Sequence, residues 1–428
     1  MKKSWWSQKR WMIGILLLLV TAVGSIDRQA LSVTAKILMD EFGLTKTEYG
    51  ALGFAFLFAY AIGQLLAGVL VDKLGTRRSL SLAVIWWSIA AVTHVFAASF
   101  GGFFLARAFL GITEGANLPG AMKAIAEWFP RAERSMATGL VTAGTSLGLI
   151  LAPPVAGTLA YQFGWQAAFI VPGVAGLIWV WFWNRSYFLP EEHPTVSDEE
   201  RTLAMSDRVA VNGPPLGFAE RVRLWGYYLR FRETWGLVLA RFIGDGCFYF
   251  FAIWLPLYLQ SERGMSILKT AFIAAIPFVF ADFGALGGGW AGQKLIKNGW
   301  SVDRSRKTLI WIGCTGSLVA WPVATVDSAW LAVLLASLAV FFIQVKTASL
   351  FPLATDIFPA RDVATVWGMS GAAGSFGGAL FQLGIGALIQ SQGYEIAFIL
   401  ASLLCIGQAL MVSLFIRKVE PLRFDSAV

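Results

Sequence analysis

Twelve apolar runs alternate with short polar connections along the chain. They fall near 11–33, 49–71, 79–98, 101–123, 135–160, 165–184, 235–259, 268–291, 308–326, 329–352, 364–390 and 394–416. A membrane-crossing helix needs about 20 mostly apolar residues, so each run predicts one span. The pattern changes once, between the sixth and seventh runs. Residues 185–233 are polar, carry the stretches EEHP, SDEE and NGPP, and predict a linker with one short surface helix. The expected fold is all-α and polytopic, with twelve transmembrane helices in two six-helix bundles. Residues 1–184 would form the N-terminal bundle, 185–233 a cytoplasmic linker and 234–428 the C-terminal bundle.

The first run has a competing reading. Lys2, Lys3, the apolar stretch from Ile13 to Val23 and the small residues Ala22 and Gly24 imitate a secretory signal. Cleavage there would leave a chain starting near Asp27 and remove half a helix. The eleven later runs favour an anchored first helix instead.

Composition agrees with the pattern. Hydrophobic residues make up 57% of the 428 and charged residues 14%, with a mean hydropathy of +0.64. Soluble domains are about 45–50% apolar and about 25% charged. These figures exclude a soluble globular enzyme, a disordered chain and a nucleic-acid-binding domain. The net charge of +8 acquires a different meaning once its placement is counted. With the N-terminus inside, twenty-five Lys and Arg residues fall on the cytoplasmic side, against Lys36, Lys46, Arg263 and Lys269 on the other. That asymmetry is the positive-inside signal, and it puts both termini in the cytoplasm. The bilayer, not a nucleic acid, is the expected partner, and the chain is expected to be a monomer. Cys247, Cys314 and Cys405 are far apart, and His94 and His193 are the only histidines. No metal site or cofactor is expected, and no enzyme activity.

Eight ionisable residues fall inside the predicted spans: Asp27, Arg28, Arg107, Glu114, Arg241, Asp245, Asp282 and Lys346. Each costs about 2.5–3.5 kcal/mol at a helix centre, on the order of 20 kcal/mol together if unpaired. Pairing or a wet cavity is required. Counting about 1.5 Å per residue from Trp11 puts Asp27 about 24 Å from the inner face. Counting from Gly101 puts Arg107 at nearly the same level. The functional reading is a proton relay beside an anion site. Asp27 neutralises Arg107 when ionised and releases it when protonated, Glu114 is a second titrating group, and Arg28 offers a planar fork to a carboxylate. The plainer reading is a set of static salt bridges. In the second set, Arg241 and Asp245 can pair at i,i+4, and Lys346 can snorkel toward the inner face, for structure or gating.

Other polar residues carry weaker signals. His94 reads first as a packing residue, and Gln64 and Asn117 as interhelical hydrogen-bonders. Tyr60, Tyr249 and Trp254 lie within spans, where they can meet a polyol or the core. The glycine runs from Gly139 to Gly148 and from Gly368 to Gly378 lack a following lysine, so they read as close helix packing, not phosphate loops. Pro153-Pro154 marks a kink or end in the fifth span. Trp11, Trp128, Trp165, Trp183, Trp235, Trp300 and Trp330 stand at predicted span ends, as an aromatic belt would.

Particular motifs carry a family resemblance. Gly68-x3-Asp72-Lys-x-Gly75-x-Arg77-Arg78 resembles the loop signature of the major facilitator superfamily. The stretch IDRQALSV at 26–33, RAFLGITEGANLPG at 107–120 and AEWFPRAER at 126–134 together resemble the anion:cation symporter family. WLPLYL from Trp254, IPFVFAD from Ile276 and GWSVDRSRK from Gly299 are most similar to its bacterial hexuronate branch. The resemblance covers nearly the whole chain. It implies proton-coupled symport by alternating access in a bacterial inner (plasma) membrane. It implies Asp27 and Glu114 as protonation sites and Arg107 as the partner of Asp27. It further implies Arg28 and Tyr60 at the substrate, joined by Thr145 and Ser375, with Tyr249 a further candidate, and Gly68, Asp72, Gly75, Arg77 and Arg78 in gating. Two departures stand out. Gln293 replaces a common Asp in the second loop motif, and APPVAG at 152–157 is not the Gly-Pro antiporter signature.

The expected cargo is a monovalent sugar acid, a hexuronate or aldonate, taken up with protons. Glucarate, tartrate or an aromatic carboxylate are alternatives, as is multidrug antiport, whose site would be greasier and would not need two arginines. A membrane enzyme would need a catalytic cluster, and a sensor a longer soluble domain.

Overall fold

The computed structural model describes residues 8–206, 218–358 and 363–422, so the NGPP stretch lies outside the described residues. Among these, all regular structure is helical. The first six spans are α1 (Lys9–Phe42), α2 (Lys46–Leu74), α3 (Thr76–Thr93) with a 3-10 turn His94–Phe96, α4 (Phe100–Glu114) continued by α5 (Asn117–Trp128), α6 (Arg131–Phe163) and α7 (Ala167–Ser186). The linker holds α8 (Asp198–Met205) and α9 (Phe218–Tyr228). The last six spans are α10 (Arg232–Ser261), α11 (Ile267–Ile273) with α12 (Ile276–Lys297), α13 (Val302–Gly316) with a 3-10 stretch Ser317–Ala324, α14 (Ala329–Leu350) with α15 (Leu353–Ile357), α16 (Val363–Gln392) and α17 (Tyr394–Phe415). Ten of these twelve, all but the fourth and the ninth, are long and apolar enough to cross a membrane.

Local chemistry sets the ends. Thr45 accepts from Glu48 N while Glu48 reaches back to Thr45 N at 2.8 Å, a capping box that starts α2. Gly43 adopts φ 66° just before it, a left-handed geometry open to glycine. Ser99, Ser266, Ser301 and Ser328 cap α4, α11, α13 and α14 in the same hydroxyl-to-amide manner.

Several sequence expectations change. Pro153 and Pro154 lie inside α6, which continues to Phe163, so they do not end the span. The fourth span breaks after Glu114. The linker has two helices, not one. Trp11, Trp128, Trp165 and Trp183 are buried and belong to the bundle core, because their ring nitrogens or faces find protein partners. Trp128 Nε1 donates to Phe188 O, Trp165 Nε1 to Glu41 Oε2 and Trp183 Nε1 to Arg77 O. Trp235 and Trp330 are exposed, as a belt requires.

The glycine runs do serve packing. A methyl on Gly144 would strike the Leu18 carbonyl, and one on Gly148 would lie 2.5 Å from Ala22 O. α6 therefore sits directly on α1. The linker is docked onto this pair. Glu200 of α8 accepts from the Lys9 and Arg10 amides at 3.1 and 2.9 Å, a carboxylate at a helix N-terminus. Arg10 also pairs with Glu133 of α6 at 2.7 Å.

The two groups of spans meet at the lysine-poor end. Tyr49 Oη donates to Ile253 O at 2.8 Å, Gln260 Nε2 to Val33 O at 3.1 Å, and Lys46 pairs with Glu262 at 3.0 Å. The Trp254 indole lies edge-on to Tyr49 at 5.0 Å and donates to Gln382 Oε1 at 2.6 Å. A methyl on Gly50 would sit 2.5 Å from Gln382 O and 2.9 Å from Gly386 Cα, so α2 and α16 touch backbone to backbone there. These contacts seal one end of the bundle.

Candidate transport site

The site is built on α1, α2 and α4. Small residues on α4 allow α2 to come close: a methyl on Gly111 would strike the Phe56 carbonyl, and one on Gly115 would lie 2.5 Å from the Gly63 carbonyl carbon. Phe56 and Tyr60, one turn apart on α2, thereby enter the space between α1 and α4. Their rings stack at 5.7 Å and 17°.

Arg28 pairs with Glu114. Its Nη2 lies 2.9 Å and its Nε 3.2 Å from Glu114 Oε2. Glu114 is buried, whereas the Arg28 side chain keeps 27% of its surface open. The Arg28 guanidinium stands 5.0 Å from the Tyr60 ring and 5.4 Å from Phe56. Arg107 stands 4.7 Å from Phe56. The buried Phe56 ring thus faces two guanidiniums, a favourable cation–π position that also screens like charges. Tyr249, from α10, lies within electrostatic reach of both Arg28 and Tyr60.

Sequence reasoning paired Asp27 with Arg107. Asp27 and Arg107 are buried and sense each other electrostatically, but form no hydrogen bond or ion pair. Both Asp27 oxygens, Arg107 Nε and Nη1, Glu114 Oε1, Asn117 Oδ1 and His94 Nε2 are buried polar atoms without a protein partner. The level estimate erred because α1 runs nine residues past the predicted end. Arg28 stands fourteen residues before Phe42, and Glu114 fourteen after Phe100, so both lie about 21 Å from the same end. Phe56 was missed altogether. Its signal was the four-residue spacing to Tyr60, which puts both on one helix face.

The remaining candidates divide. The Thr145 hydroxyl turns back to Val141 O at 3.4 Å, and Ser375 is buried on α16; neither bonds to the charged cluster. Among the loop-motif residues, Asp72 pairs with Lys123 at 2.9 Å. Gly75 turns the chain at φ 76°. Arg77 donates to Asn184 O and lies 4.1 Å over the Phe188 ring. Arg78 is exposed and Gly68 half-buried. This motif ties α2 and α3 to α5 and α7. His94 stacks on Phe169 at 4.8 Å, a packing role. Asn117 abuts Gly24 without the expected interhelical bond from its Oδ1.

In the last six spans, Arg241 pairs with Asp245 at 2.9 Å as the spacing suggested. Lys346 does not snorkel. It is buried and donates to Gln408 Oε1, because Gly313 lets α13 close over its backbone.

Twelve spans around a buried, charged and partly open centre define a multi-pass membrane transport protein, not an enzyme. The chain belongs to the Major Facilitator Superfamily, whose family model matches residues 17–299. It is 29% identical over 411 residues to the hexuronate transporter of Escherichia coli (strain K12), covering 94% of this chain and 93% of that one. It is 33% identical over 307 residues to the galacturonate transporter of Dickeya chrysanthemi, covering 71% and 88%. Its backbone is similar to the crystal structure of a bacterial homolog to the human lysosomal transporter Spinster in an inward-facing and occupied conformation. The TM-score is 0.75 at 19% identity, over 98% of this chain and 99% of that one, a likeness of fold.

Proposed function

We propose that this chain imports a sugar-acid anion, a hexuronate or aldonate, together with protons. The observation that carries this reading is Arg28. It is a half-open guanidinium in the middle of the bundle, held by one buried carboxylate and flanked by two aromatic rings. The fork fits a substrate carboxylate, and two of the relatives that this chain resembles are named for hexuronate and galacturonate.

The pairing supplies the coupling. Glu114 and a substrate carboxylate compete for the same guanidinium, and two anions on one cation are costly in a low-dielectric site. A proton on Glu114 removes its charge and frees the Arg28 fork. Asp27, which faces Arg107 without a bond, is the second carboxyl that takes up a proton, and Arg107 balances it. Tyr60 and Tyr249 supply hydroxyls at the sugar, with Thr145 and Ser375 further along α6 and α16. The sealed lysine-poor end is the periplasmic face, both termini are cytoplasmic, and the described state opens inward across a bacterial inner membrane. Gly68, Asp72, Gly75, Arg77 and Arg78 govern the basic end during alternation.

Proteoliposome uptake tests this reading. Uptake of a uronate or aldonate that a protonophore abolishes and that needs no sodium supports it. Sodium-dependent, protonophore-insensitive uptake contradicts proton coupling, and a thermal-shift panel in which only aldarates or aromatic acids stabilise the protein contradicts the substrate class.

A further inference from the structure

The ion pair of the last six spans differs in kind from Arg28–Glu114. Arg28 and Glu114 belong to different helices and can part. Arg241 and Asp245 stand one turn apart on α10, with 2.9 Å between Nε and Oδ2, so no movement of one span against another separates them. Only that one bond is made. Arg241 Nη1 is buried without a protein partner. Among the described residues no hydrogen bond engages Arg241 Nη2 or Asp245 Oδ1, and the two side chains keep 12% and 17% of their surface open. Phe351 and Trp367 hold the guanidinium from 4.9 and 5.0 Å. Glycines of α16 make the room. A methyl on Gly374 would strike Asp245 Oδ2, and one on Gly371 would lie 3.3 Å from Arg241 Nη1.

This pair adjoins the transport site. The methyl position on Gly371 is also 3.8 Å from Gln64 Oε1, so Gln64 and Arg241 are neighbours across α2 and α10. Gln64 is one turn beyond Tyr60 on α2, and the Arg28 guanidinium stands 5.0 Å from the Tyr60 ring. Tyr249 lies within electrostatic reach of Arg28, Tyr60, Arg241 and Asp245 together. The levels agree. Tyr49 Oη bonds to Ile253 O, and from that tie Tyr60 is eleven residues along α2 and Arg241 twelve back along α10, about 17 and 18 Å toward the basic end.

A guanidinium permanently balanced by its own carboxylate has little pull on a further anion. It offers a donor beside an acceptor, and a hydroxyl satisfies both at once. A second carboxylate can only accept. It would lose its hydration and meet the Asp245 charge at short range in a low-dielectric site. We infer that Arg241 and Asp245 hold the hydroxyl end of the sugar acid whose carboxylate lies on Arg28, and that Asp245 makes the site choose monoacids over aldarates. This inference rests on the proposed function and adds to it the residues that read the uncharged end.

Titration calorimetry on the full-length protein tests this, with D-glucuronate and D-gluconate as monoacids and D-glucarate as the diacid. The wild type binds the better monoacid at least about tenfold tighter than glucarate. Asp245→Asn keeps the shape and an acceptor oxygen and removes the charge, so this ratio falls by about tenfold. Where Asp245→Asn does not fold, Asp245→Asn with Arg241→Gln, which leaves no unbalanced charge in the span, is read in its place, and the ratio falls likewise. A pair that only braces α10 lowers the unfolding temperature when altered and leaves the ratio at its wild-type value; that result overturns the inference. So does a wild type that binds glucarate as tightly as the monoacids. A wild type that binds neither monoacid refutes the proposed function itself, and is told apart because there is then no monoacid affinity to compare.

Discussion

Arg28 Nη2 and Glu114 Oε2 lie 2.9 Å apart, joining the first and fourth spans at mid-membrane across 86 residues of sequence. Glu114 accepts from Arg28 Nε and Nη2, so under the proposed function a substrate carboxylate at Arg28 competes with it. The geometry of the pair is the geometry of the proposed coupling.

Arg28→Lys keeps the charge and loses the fork. One lost charge-assisted hydrogen bond costs about 1.5–3 kcal/mol, at least about tenfold in substrate affinity. Titration calorimetry with the transported acid reads this directly. Affinity equal to the wild type would show that the bidentate geometry is not used.

Phe56→Ala removes the ring that both the Arg28 and the Arg107 guanidinium approach. Phe to Ala in a core costs about 3–5 kcal/mol, and the two cations lose their screen. A large fall in thermal unfolding temperature is expected, partly recovered by Phe56→Tyr or Phe56→Trp. Recovery by Phe56→Leu to the same extent would show that volume alone matters and the cation–π contacts do not.

Tyr49→Phe deletes the hydroxyl that seals the two groups of spans at Ile253 O. About 1 kcal/mol is lost from the sealed state, a shift of about fivefold toward opening at that end. Labelling of a cysteine placed at Lys46 by a membrane-impermeant maleimide should quicken accordingly. An unchanged labelling rate would place the seal elsewhere, at Lys46–Glu262 or Gly50–Gly386.

His193 of the linker gives a pH dependence. It is buried between Trp128 and Phe188, at 5.5 and 5.6 Å, and its Nδ1 accepts from Thr195 N at 3.2 Å. Burial pushes its pKa below the usual 6.5, helped by nearby Lys9. The native protein therefore binds fewer protons than the unfolded chain, and stability falls as pH drops through and below about 6.5. The melting temperature should decline from pH 7.5 to 5.5, and less steeply in His193→Gln. An identical slope in the variant would assign the effect to other groups.

Much of the fold was legible because a bilayer leaves few options: apolar runs of sufficient length become helices. Boundaries were less so. α1 continues to Phe42 because Ala35, Lys36, Leu38 and Met39 are good helix formers and Lys36 pairs with Asp40 at i,i+4. Hydropathy ends the span where the lipid ends, not where the helix does. That displacement moved Arg28 off its partner's level. Ion identity was readable from composition, and ion pairing was not, because it depends on helix length and rotation. Trp128 and Trp183 show the same limit. Their positions fit a belt, and only packing reveals that they face inward. Close glycine packing was readable because a phosphate loop would need residues that these runs lack.

The most direct test of the central claim is a comparison of two assays on Glu114→Gln in proteoliposomes. A neutral glutamine leaves Arg28 open to substrate but carries no proton. Counterflow exchange of the sugar acid should persist, while accumulation driven by an inwardly directed proton gradient should vanish. Gradient-driven accumulation at the wild-type level would contradict the account and remove Glu114 from the coupling.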